Sequence, residues 1–413
     1  MGAWKELQLK YDARGFIGSD KCVCRGCIGD RYLQDIIKNE GESGRCSFCG
    51  NYRKVMPMEN FMDYVMTAAQ RYYMDADGNI PYTREDGYLD KIFDPYDFIY
   101  EELSSYLYED EPEAENTDLL DEMHRMVNCK EWASTFAFSR RPSEELMDKW
   151  AEYCSLIKEW DNYSVEQIIS LCVRKDAPES LKRINNLLTE VLNVAQKMNC
   201  YSYIQPYHNI YRCVGLEKGY VLPGTNYIPA TRIGTAPAFR IADDNRFSER
   251  GDMMFYGAEN KAIAQAEVDI KLDEVPTLGT FHTNKRIKIL NLAKISEWSK
   301  KSFFDIDHWE QRENWIFLRR YCEEISKQIA NMEGQNPEYR PTEIFTKFIQ
   351  RQTGLYGLSY WSSKSDHSRY TKGAIQDICY VLFVENRDCI DECERIYKIN
   401  TDRLQLIMSR VEQ

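Results

Sequence analysis

Five of the fourteen cysteines lie within one short N-terminal segment, where their spacing could bind a metal ion. The segment reads Cys22-Val-Cys24-Arg-Gly-Cys27 and, after 18 further residues, Cys46-Ser-Phe-Cys49. Two residues between thiolates let a tight turn direct both sulfurs to one ion, and two such turns match a structural four-cysteine zinc site. We therefore predict Zn²⁺ bound by Cys24, Cys27, Cys46 and Cys49, with Cys22 as the alternative to Cys24. Reduced unpaired thiols, an iron–sulfur centre and a redox pair are the other interpretations of this segment.

The C-terminal half contains a second group of residues whose types could do chemistry: Arg212, Arg246, Tyr256, Glu267 and Ser362. Guanidinium groups bind phosphate through paired hydrogen bonds, and an aromatic ring stacks on a flat cation. A carboxylate stabilises the positive charge that develops on a sugar as its bond to a leaving group breaks. Together these residue types suit the cleavage of an N-glycosidic bond beside phosphate groups.

Each of these residues also has a purely structural interpretation. A lone arginine is usually a surface ion-pair partner, and a tyrosine in a chain with 28 of them is usually a core residue. Glu267 stands between Ala266 and Val268, which suggests a buried setting where an unpaired carboxylate is costly. If Glu267 proves structural, Glu249 and Glu259 are the nearest alternative carboxylates.

Several common catalytic signatures are absent from the sequence. It contains neither the Gly-x-Gly of a dinucleotide-binding fingerprint nor a Gly-x₄-Gly-Lys phosphate loop. None of its five histidines belongs to a His-Glu-x-x-His motif, and no hydrolase nucleophile motif is present. Any catalysis must therefore rely on Arg, Glu, Tyr and Ser side chains.

Composition and charge narrow the class of protein. The chain of 413 residues is 43% hydrophobic and 29% charged, which excludes a disordered or collagen-like chain and predicts two or three domains. A net charge of −13 argues against a broad nucleic-acid-binding surface. In residues 1–55, basic residues outnumber acidic ones, with ten Lys and Arg against seven Asp and Glu. This small excess of positive charge supports a nucleic-acid partner only weakly.

The sequence also predicts where the protein resides. Its longest apolar run, Ile378 to Val384, is far shorter than the roughly 20 residues that span a bilayer. Fourteen cysteines in such a chain are not the framework of a disulfide-stabilised secreted domain. We therefore expect a soluble cytoplasmic protein without a membrane segment.

The chain changes character along its length, which predicts an α+β protein of three parts. Residues 1–55 form the cysteine ribbon and residues 56–203 a helical bundle, with Pro178 opening an amphipathic helix. Residues 204–413 form an α+β domain with a helical insert at about 296–349. Strand-like runs cover 253–256, 286–292 and 378–384.

The order of the chemical residues resembles the RES domain, a family named for its Arg, Glu and Ser and found in bacterial toxins that consume NAD⁺. The resemblance covers about residues 205–385 and is most specific between Arg246 and Glu267. There, an Arg-aromatic pair, a glycine, an aromatic-Tyr strand end and an Ala-Glu helix follow one another. Tyr360-Trp361-Ser362 fits the Tyr-x-Ser of the family, with Trp361 in place of a common proline.

This resemblance implies an ADP-ribosyltransferase-like domain that breaks the nicotinamide–ribose bond of NAD⁺. Arg212, Glu267 and Ser362 are the implied catalytic residues. Arg212 and Arg246 would bind the pyrophosphate, and Tyr256 would stack on the nicotinamide. Glu267 would face the oxocarbenium-like ribose, and Ser362 would contact the ribose or the nicotinamide amide. The acceptor (water, phosphate or a protein side chain) stays open.

The resemblance extends to partners and to the N-terminal region. RES domains act as toxins of toxin–antitoxin pairs or as antiphage defence effectors, so we expect a neutralising antitoxin or a triggering protein. The cysteine pairs and following helices resemble the HEPN-type segment that often precedes a RES domain. Active HEPN ribonucleases carry an Arg four to six residues before a His, and no Arg stands there before His124. We expect a segment without ribonuclease activity. The alternative for the whole chain is a non-enzymatic zinc-ribbon and helical adaptor that binds RNA or protein.

Overall fold

The computed structural model describes residues 11, 13–83, 87–88, 90–127, 130–218, 220, 227–297, 300–327, 336–362, 364 and 377–413. Helices and sheets both contribute to it, so the predicted α+β class is confirmed. The chain divides into two compact units. One comprises Met1–Ser143 with Lys300–Glu313, and the other comprises Glu144–Ser299 with Asn314–Gln413.

Helices occur in both units of the described chain. In chain order they are α1 (Arg31–Glu40), α2 (Met58–Tyr72), α3 (Pro95–Asp97), α4 (Ser104–Leu107), α5 (Thr117–Met126), α6 (Pro142–Ile157), α7 (Val165–Cys172), α8 (Glu179–Lys197), α9 (Ala230–Ile233), α10 (Lys261–Ala266), α11 (Trp309–Ser326), α12 (Arg340–Gln352) and α13 (Arg395–Lys398). A π-helical segment, Phe98–Leu103, joins α3 to α4.

The strands of the same residues form four sheets. They are β1 (Cys22–Cys24), β2 (Glu42–Arg45), β3 (Tyr52–Pro57), β4 (Tyr73–Asp75), β5 (Tyr82–Thr83), β6 (Gly87–Tyr88), β7 (Ile92–Phe93), β8 (Trp132–Ser134), β9 (Tyr201–Ile204), β10 (Ile210–Glu217), β11 (Phe255–Ala258), β12 (Glu274–Thr283), β13 (Ile287–Asn291), β14 (Gly357–Trp361), β15 (Ile378–Leu382), β16 (Cys389–Asp391) and β17 (Leu406–Glu412).

The first unit contains the cysteine ribbon and most of the predicted helical region. Strand β3 pairs antiparallel with β1 on one side and β2 on the other, giving a three-stranded sheet of order β1-β3-β2. Helices α2 and α5 bury their apolar faces in the core of this unit. A second small sheet, β4-β8-β7, shows that residues 56–143 are less purely helical than predicted.

The second unit is built on a nine-stranded sheet of order β16-β17-β12-β10-β11-β15-β14-β13-β9. Neighbours are antiparallel except for the parallel pairs β13–β14 and β16–β17. Strands β11, β13 and β15 fall on the three strand-like runs predicted from the sequence, with ends shifted by up to two residues.

The observed units do not follow the predicted boundaries at 55 and 203. The helix that Pro178 opens is present as α8, so that prediction is confirmed. However, the buried face of α8 shares one hydrophobic core with the large sheet, where Leu188 and Ile184 join Ile204 and Ile210. The contacts therefore place α7 and α8 with the C-terminal sheet, and place residues 300–313 of the predicted insert with the N-terminal unit.

Across the described parts of the chain, no helix combines the length and the apolar character that crossing a bilayer requires.

Candidate functional site

Four of the five chemical residues predicted in the C-terminal half line one cavity of about 600 Å³. They are Arg212, Arg246, Tyr256 and Glu267, and the fifth, Ser362, contacts this group through Glu267. The volume lies within the range of about 300–1,000 Å³ that is typical of small-molecule sites. The sheet therefore gathers residues that are far apart in the sequence around one space of ligand size.

The cavity opens where strands β10 and β11 diverge. The two strands pair at Tyr211 and Ala258, whereas β10 and β12 pair along their length. Arg212 lies beside this divergence, and its guanidinium NH1 donates to the Tyr256 carbonyl at 2.6 Å. Because a buried carbonyl without a partner is costly, Arg212 stabilises the end of β11 as well as lining the cavity.

Arg212 adds positive charge to the cavity wall. Its Nε donates to the Ile233 carbonyl at 2.9 Å, so two backbone carbonyls fix the guanidinium. Burial lowers the pKa of Arg212 from its usual value, but a guanidinium remains protonated in proteins. Within the described part of the chain, no carboxylate lies within ion-pair distance of it. The charge of Arg212 is therefore available to an anionic ligand.

Arg246 contributes a second positive charge from the segment before β11. Its NH1 donates to the Ile325 carbonyl at 2.5 Å, and its own carbonyl accepts a hydrogen bond from Thr342 Oγ1. Its Cζ lies 5.9 Å from the centroid of the Tyr339 ring. As for Arg212, none of the described carboxylates forms an ion pair with Arg246. Two arginines without carboxylate partners at one cavity favour an anionic ligand.

The side chain of Tyr256 places an un-ionised phenol ring at the cavity. Burial raises the pKa of Tyr256 far above its usual range, so the ring is un-ionised at neutral pH. The phenol Oη lies 2.8 Å from Ser248 Oγ, a contact that fixes the ring. Tyr256 is half-buried and lines the cavity, so its ring can contact a bound ligand.

Glu267 and Ser362 form a hydrogen-bonded pair at the cavity. Glu267 follows α10, and its backbone N–H donates to the Ile263 carbonyl at 3.0 Å. Ser362 follows β14, and its hydroxyl donates to Glu267 Oε1 while accepting from the Lys364 N–H at 3.1 Å. Ser362 is completely buried. This geometry favours positioning of the carboxylate by Ser362 over the direct contact with ribose or nicotinamide expected from the sequence.

The alternative carboxylates are engaged by other partners. Glu249 forms an ion pair with Arg340 at 3.1 Å, and Glu259 accepts hydrogen bonds from Tyr380 and His208. Neither is among the residues that line the cavity. Among the three candidates, Glu267 is therefore the carboxylate at this site.

Sequence reasoning missed several residues that line the same cavity. Tyr360 and Cys379 are direct neighbours on β14 and β15, and both side chains lie on the face of the sheet that carries Tyr256. Because side chains alternate along a strand, Tyr360 shares a face with Ser362, two residues on. That alternation was the one signal that could have identified it. Asp244, Tyr339 and Lys364 also line the cavity, and no sequence pattern marked them.

The predicted cysteine cluster assembles in the first unit. The ligand atoms of Cys24, Cys27, Cys46 and Cys49 all lie within 4.8 Å of one another. The Cys24 sulfur lies 3.9 Å from that of Cys27 and 3.6 Å from that of Cys49, and the Cys27 and Cys46 sulfurs are 3.8 Å apart. With Zn–S bonds of about 2.3 Å, the sulfurs of a tetrahedral zinc site lie about 3.8 Å apart. The four thiols therefore have the arrangement that such an ion requires.

Backbone geometry accounts for this arrangement and for the exclusion of Cys22. Gly50 adopts a φ of 70°, which favours glycine, and its N–H donates to the Cys46 carbonyl to close the second turn. Cys22 lies in β1, with its N–H and carbonyl bonded to Ser47. Cys24, and not Cys22, is the member of the cluster.

Comparison with known proteins identifies one region of the chain. Residues 39–170 match the family HEPN/RES N-terminal domain 1, from the end of α1 through the second cysteine pair to α7. The matched range includes His124, which lies on α5 near the rings of Tyr96 and Tyr100. No curated protein and no solved structure matches the chain. The predicted association of the N-terminal region with HEPN and RES proteins is therefore confirmed.

Proposed function

We propose that the protein is a RES-type enzyme that breaks the nicotinamide–ribose bond of NAD⁺. The observation that carries this proposal is the meeting of Arg212, Arg246, Tyr256 and Glu267 at one cavity. The match of residues 39–170 to a domain named for its place before RES proteins supports it independently. We place the activity in the cytoplasm, where the substrate is available.

Substrate binding follows from the charges of the cavity. Arg212 and Arg246 bind the pyrophosphate of NAD⁺, because neither has a carboxylate partner among the described residues. The neutral ring of Tyr256 stacks on the cationic nicotinamide. These contacts act on the substrate before reaction, so they determine binding more than the chemical step.

The chemical step breaks the bond between ribose C1′ and the nicotinamide nitrogen. The bonding electron pair leaves with nicotinamide, which becomes neutral, and the ribose gains oxocarbenium character. Glu267 faces this positive charge, and Ser362 holds the carboxylate in place through its hydroxyl. An acceptor then forms the new bond to C1′ and releases a proton; water, phosphate and a protein side chain all satisfy this balance.

We further propose that the cysteine cluster binds a structural Zn²⁺. Four sulfur ligands close the coordination sphere, so the ion contributes to folding and leaves no position for a substrate. Cys24, Cys27, Cys46 and Cys49 would hold it as thiolates.

A protein that consumes NAD⁺ requires control, so we propose a neutralising antitoxin or a triggering partner. The first unit, which contains the cysteine cluster and most of the matched region, is the candidate for that contact. We expect it to cleave no RNA, because His124 lacks the upstream Arg of active HEPN ribonucleases.

The test is incubation of the full-length protein with NAD⁺, with and without inorganic phosphate, and separation of the products. We expect nicotinamide together with ADP-ribose, a phosphorylated ADP-ribose or ADP-ribosylated protein, and the second product identifies the acceptor. Absence of nicotinamide under all conditions would favour the alternative, a zinc-ribbon adaptor that binds RNA or protein. That alternative is favoured by one observation, that the family match is confined to residues 39–170.

A further inference from the structure

A second cavity, of about 640 Å³, adjoins the candidate active site. Arg246 and Tyr339 line both cavities, so these two side chains stand between them. The remaining walls of the second cavity come from α6 and the residues that follow it, the end of α11 and the start of α12. All of these residues belong to the second compact unit.

The walls of the second cavity combine flat apolar surface with carboxylates. Trp150, Ile157 and Pro341 are apolar lining residues, the first two of them buried. Asp161 and Glu338 supply exposed carboxylates, with the exposed ammonium groups of Lys158 and Lys327 on the same walls. A purine ring is flat and largely apolar, and ribose hydroxyls are commonly bound by an acidic side chain in dinucleotide sites. This lining therefore suits a purine nucleoside.

The apolar wall is held rigidly. The Trp150 ring lies 4.8 Å from the ring of Tyr153 and 4.8 Å from that of Tyr321. The Tyr153 hydroxyl donates to the Pro341 carbonyl at 2.7 Å, which links α6 to α12. A pre-formed wall of this kind lowers the entropic cost of binding a flat ring.

Arg246 stands where the two halves of a dinucleotide would join. Its NH1 is fixed on the Ile325 carbonyl, which uses one of the five N–H donors of the guanidinium. NAD⁺ consists of two nucleosides joined by a pyrophosphate. One cavity contains the carboxylate needed at the nicotinamide ribose, the other contains a purine-like environment, and an arginine lies between them.

We propose that the second cavity binds the adenosine half of NAD⁺, so that the dinucleotide spans both cavities with its pyrophosphate at Arg246. This inference rests on the proposed function and adds a specific subsite to it. It assigns a substrate-binding role to α6, all of which lies in the range that matches an N-terminal domain. The enzyme would then distinguish the dinucleotide from nicotinamide mononucleotide, which has the same scissile bond and no adenosine.

The test introduces a bulky side chain at a residue that lines the second cavity and, as a matched control, at an exposed residue of the same helix. Cys154 lines the second cavity and is half-buried, whereas the adjacent Ser155 is exposed and lies outside it. In the full-length protein, Cys154→Phe should lower kcat/KM for NAD⁺ about tenfold more than kcat/KM for nicotinamide mononucleotide. Ser155→Phe, which adds the same bulk, should change neither value.

Binding of ADP-ribose, measured by titration calorimetry, provides a readout that does not depend on catalysis. Cys154→Phe should weaken ADP-ribose binding about tenfold, and Asp161→Asn should weaken it without altering the fold. The inference is overturned if ADP-ribose binds equally to wild type and Cys154→Phe, or if both substrates are affected to the same degree. If wild type binds ADP-ribose as described but releases no nicotinamide, the proposed function fails and the subsite stands.

Discussion

The hydroxyl of Ser362 donates a hydrogen bond to the carboxylate of Glu267, a residue 95 positions earlier in the chain. Ser362 is completely buried, and Glu267 lines the cavity, so the serine acts on a ligand through the carboxylate. A carboxylate that is fixed before reaction stabilises developing charge without the cost of reorienting during the step. The hydrogen bond from Ser362 therefore holds Glu267 in the position that the proposed chemistry requires.

Ser362→Ala tests this positioning role. Loss of one hydrogen bond to a charged group should lower kcat by about tenfold while leaving KM for NAD⁺ near the wild-type value. Because the serine acts through Glu267, combining Ser362→Ala with Glu267→Gln should cost little more than Glu267→Gln alone. Additive losses in the double variant, measured by nicotinamide release, would show that Ser362 acts independently.

Arg246→Ala tests the anion-binding role of the cavity. A charge-assisted contact to phosphate is worth about 1.5–3 kcal/mol, so KM should rise by about 10- to 150-fold with a smaller change in kcat. Arg240→Ala is the control, because Arg240 is exposed and does not line either cavity. A fall in kcat at unchanged KM would assign Arg246 to the chemical step.

From the cysteine cluster we predict that the purified protein contains zinc. Metal analysis of purified protein should find about one Zn²⁺ per chain, and replacing Cys46 and Cys49 together by Ser should abolish it and unfold the ribbon. Cys22→Ser should retain the metal, since the Cys22 sulfur is not one of the four clustered ligand atoms. Zinc-free protein with an intact ribbon would contradict the assignment.

Glu343 makes the stability of the folded state depend on pH. It is buried on α12, both of its carboxylate oxygens lack a hydrogen-bond partner, and burial raises its pKa to about 9. The folded state therefore holds a proton that the unfolded state releases near its ordinary pKa of about 4.3. Stability must fall as pH rises from that value towards 9.

Glu343→Gln removes this titration. Relative to wild type, Glu343→Gln should become more stable between pH 6 and pH 8. Its free energy of unfolding should rise relative to that of wild type by at most about 1.4 kcal/mol per pH unit. Denaturant unfolding at the two pH values provides the measurement. A difference that is the same at both values would mean that Glu343 does not titrate in this range.

Local patterns in the sequence were sufficient for part of this architecture. The amphipathic spacing after Pro178 predicted α8, the apolar runs predicted β11, β13 and β15, and paired cysteines predicted the cluster. Each of these features depends on residues close together in the chain, or on one strong spacing rule.

Other features depend on packing between distant segments, which no single-sequence pattern records. The apolar face of α8 could have completed either a bundle or a sheet layer, and in the structure it belongs to the same hydrophobic core as the sheet residues Ile204 and Ile210. For that reason the division of the chain by contacts does not fall at residue 203. Likewise, the Tyr-x-Ser pattern of the family resemblance identified Ser362, but its contact with Glu267 depends on how α10 and β14 meet.

Glu267→Gln tests whether Glu267 supports cleavage of the nicotinamide–ribose bond. The measurement is the rate of nicotinamide release from NAD⁺ by the full-length protein, with the NAD⁺ consumed and ADP-ribose binding measured on the same samples. Glu217→Gln serves as the control, because Glu217 is exposed at the end of β10. We expect one nicotinamide per NAD⁺ from wild type and the control, and a loss of about 10²–10³-fold in kcat for Glu267→Gln with ADP-ribose binding unchanged. An equal rate of nicotinamide release by Glu267→Gln and wild type would show that Glu267 does not support the reaction.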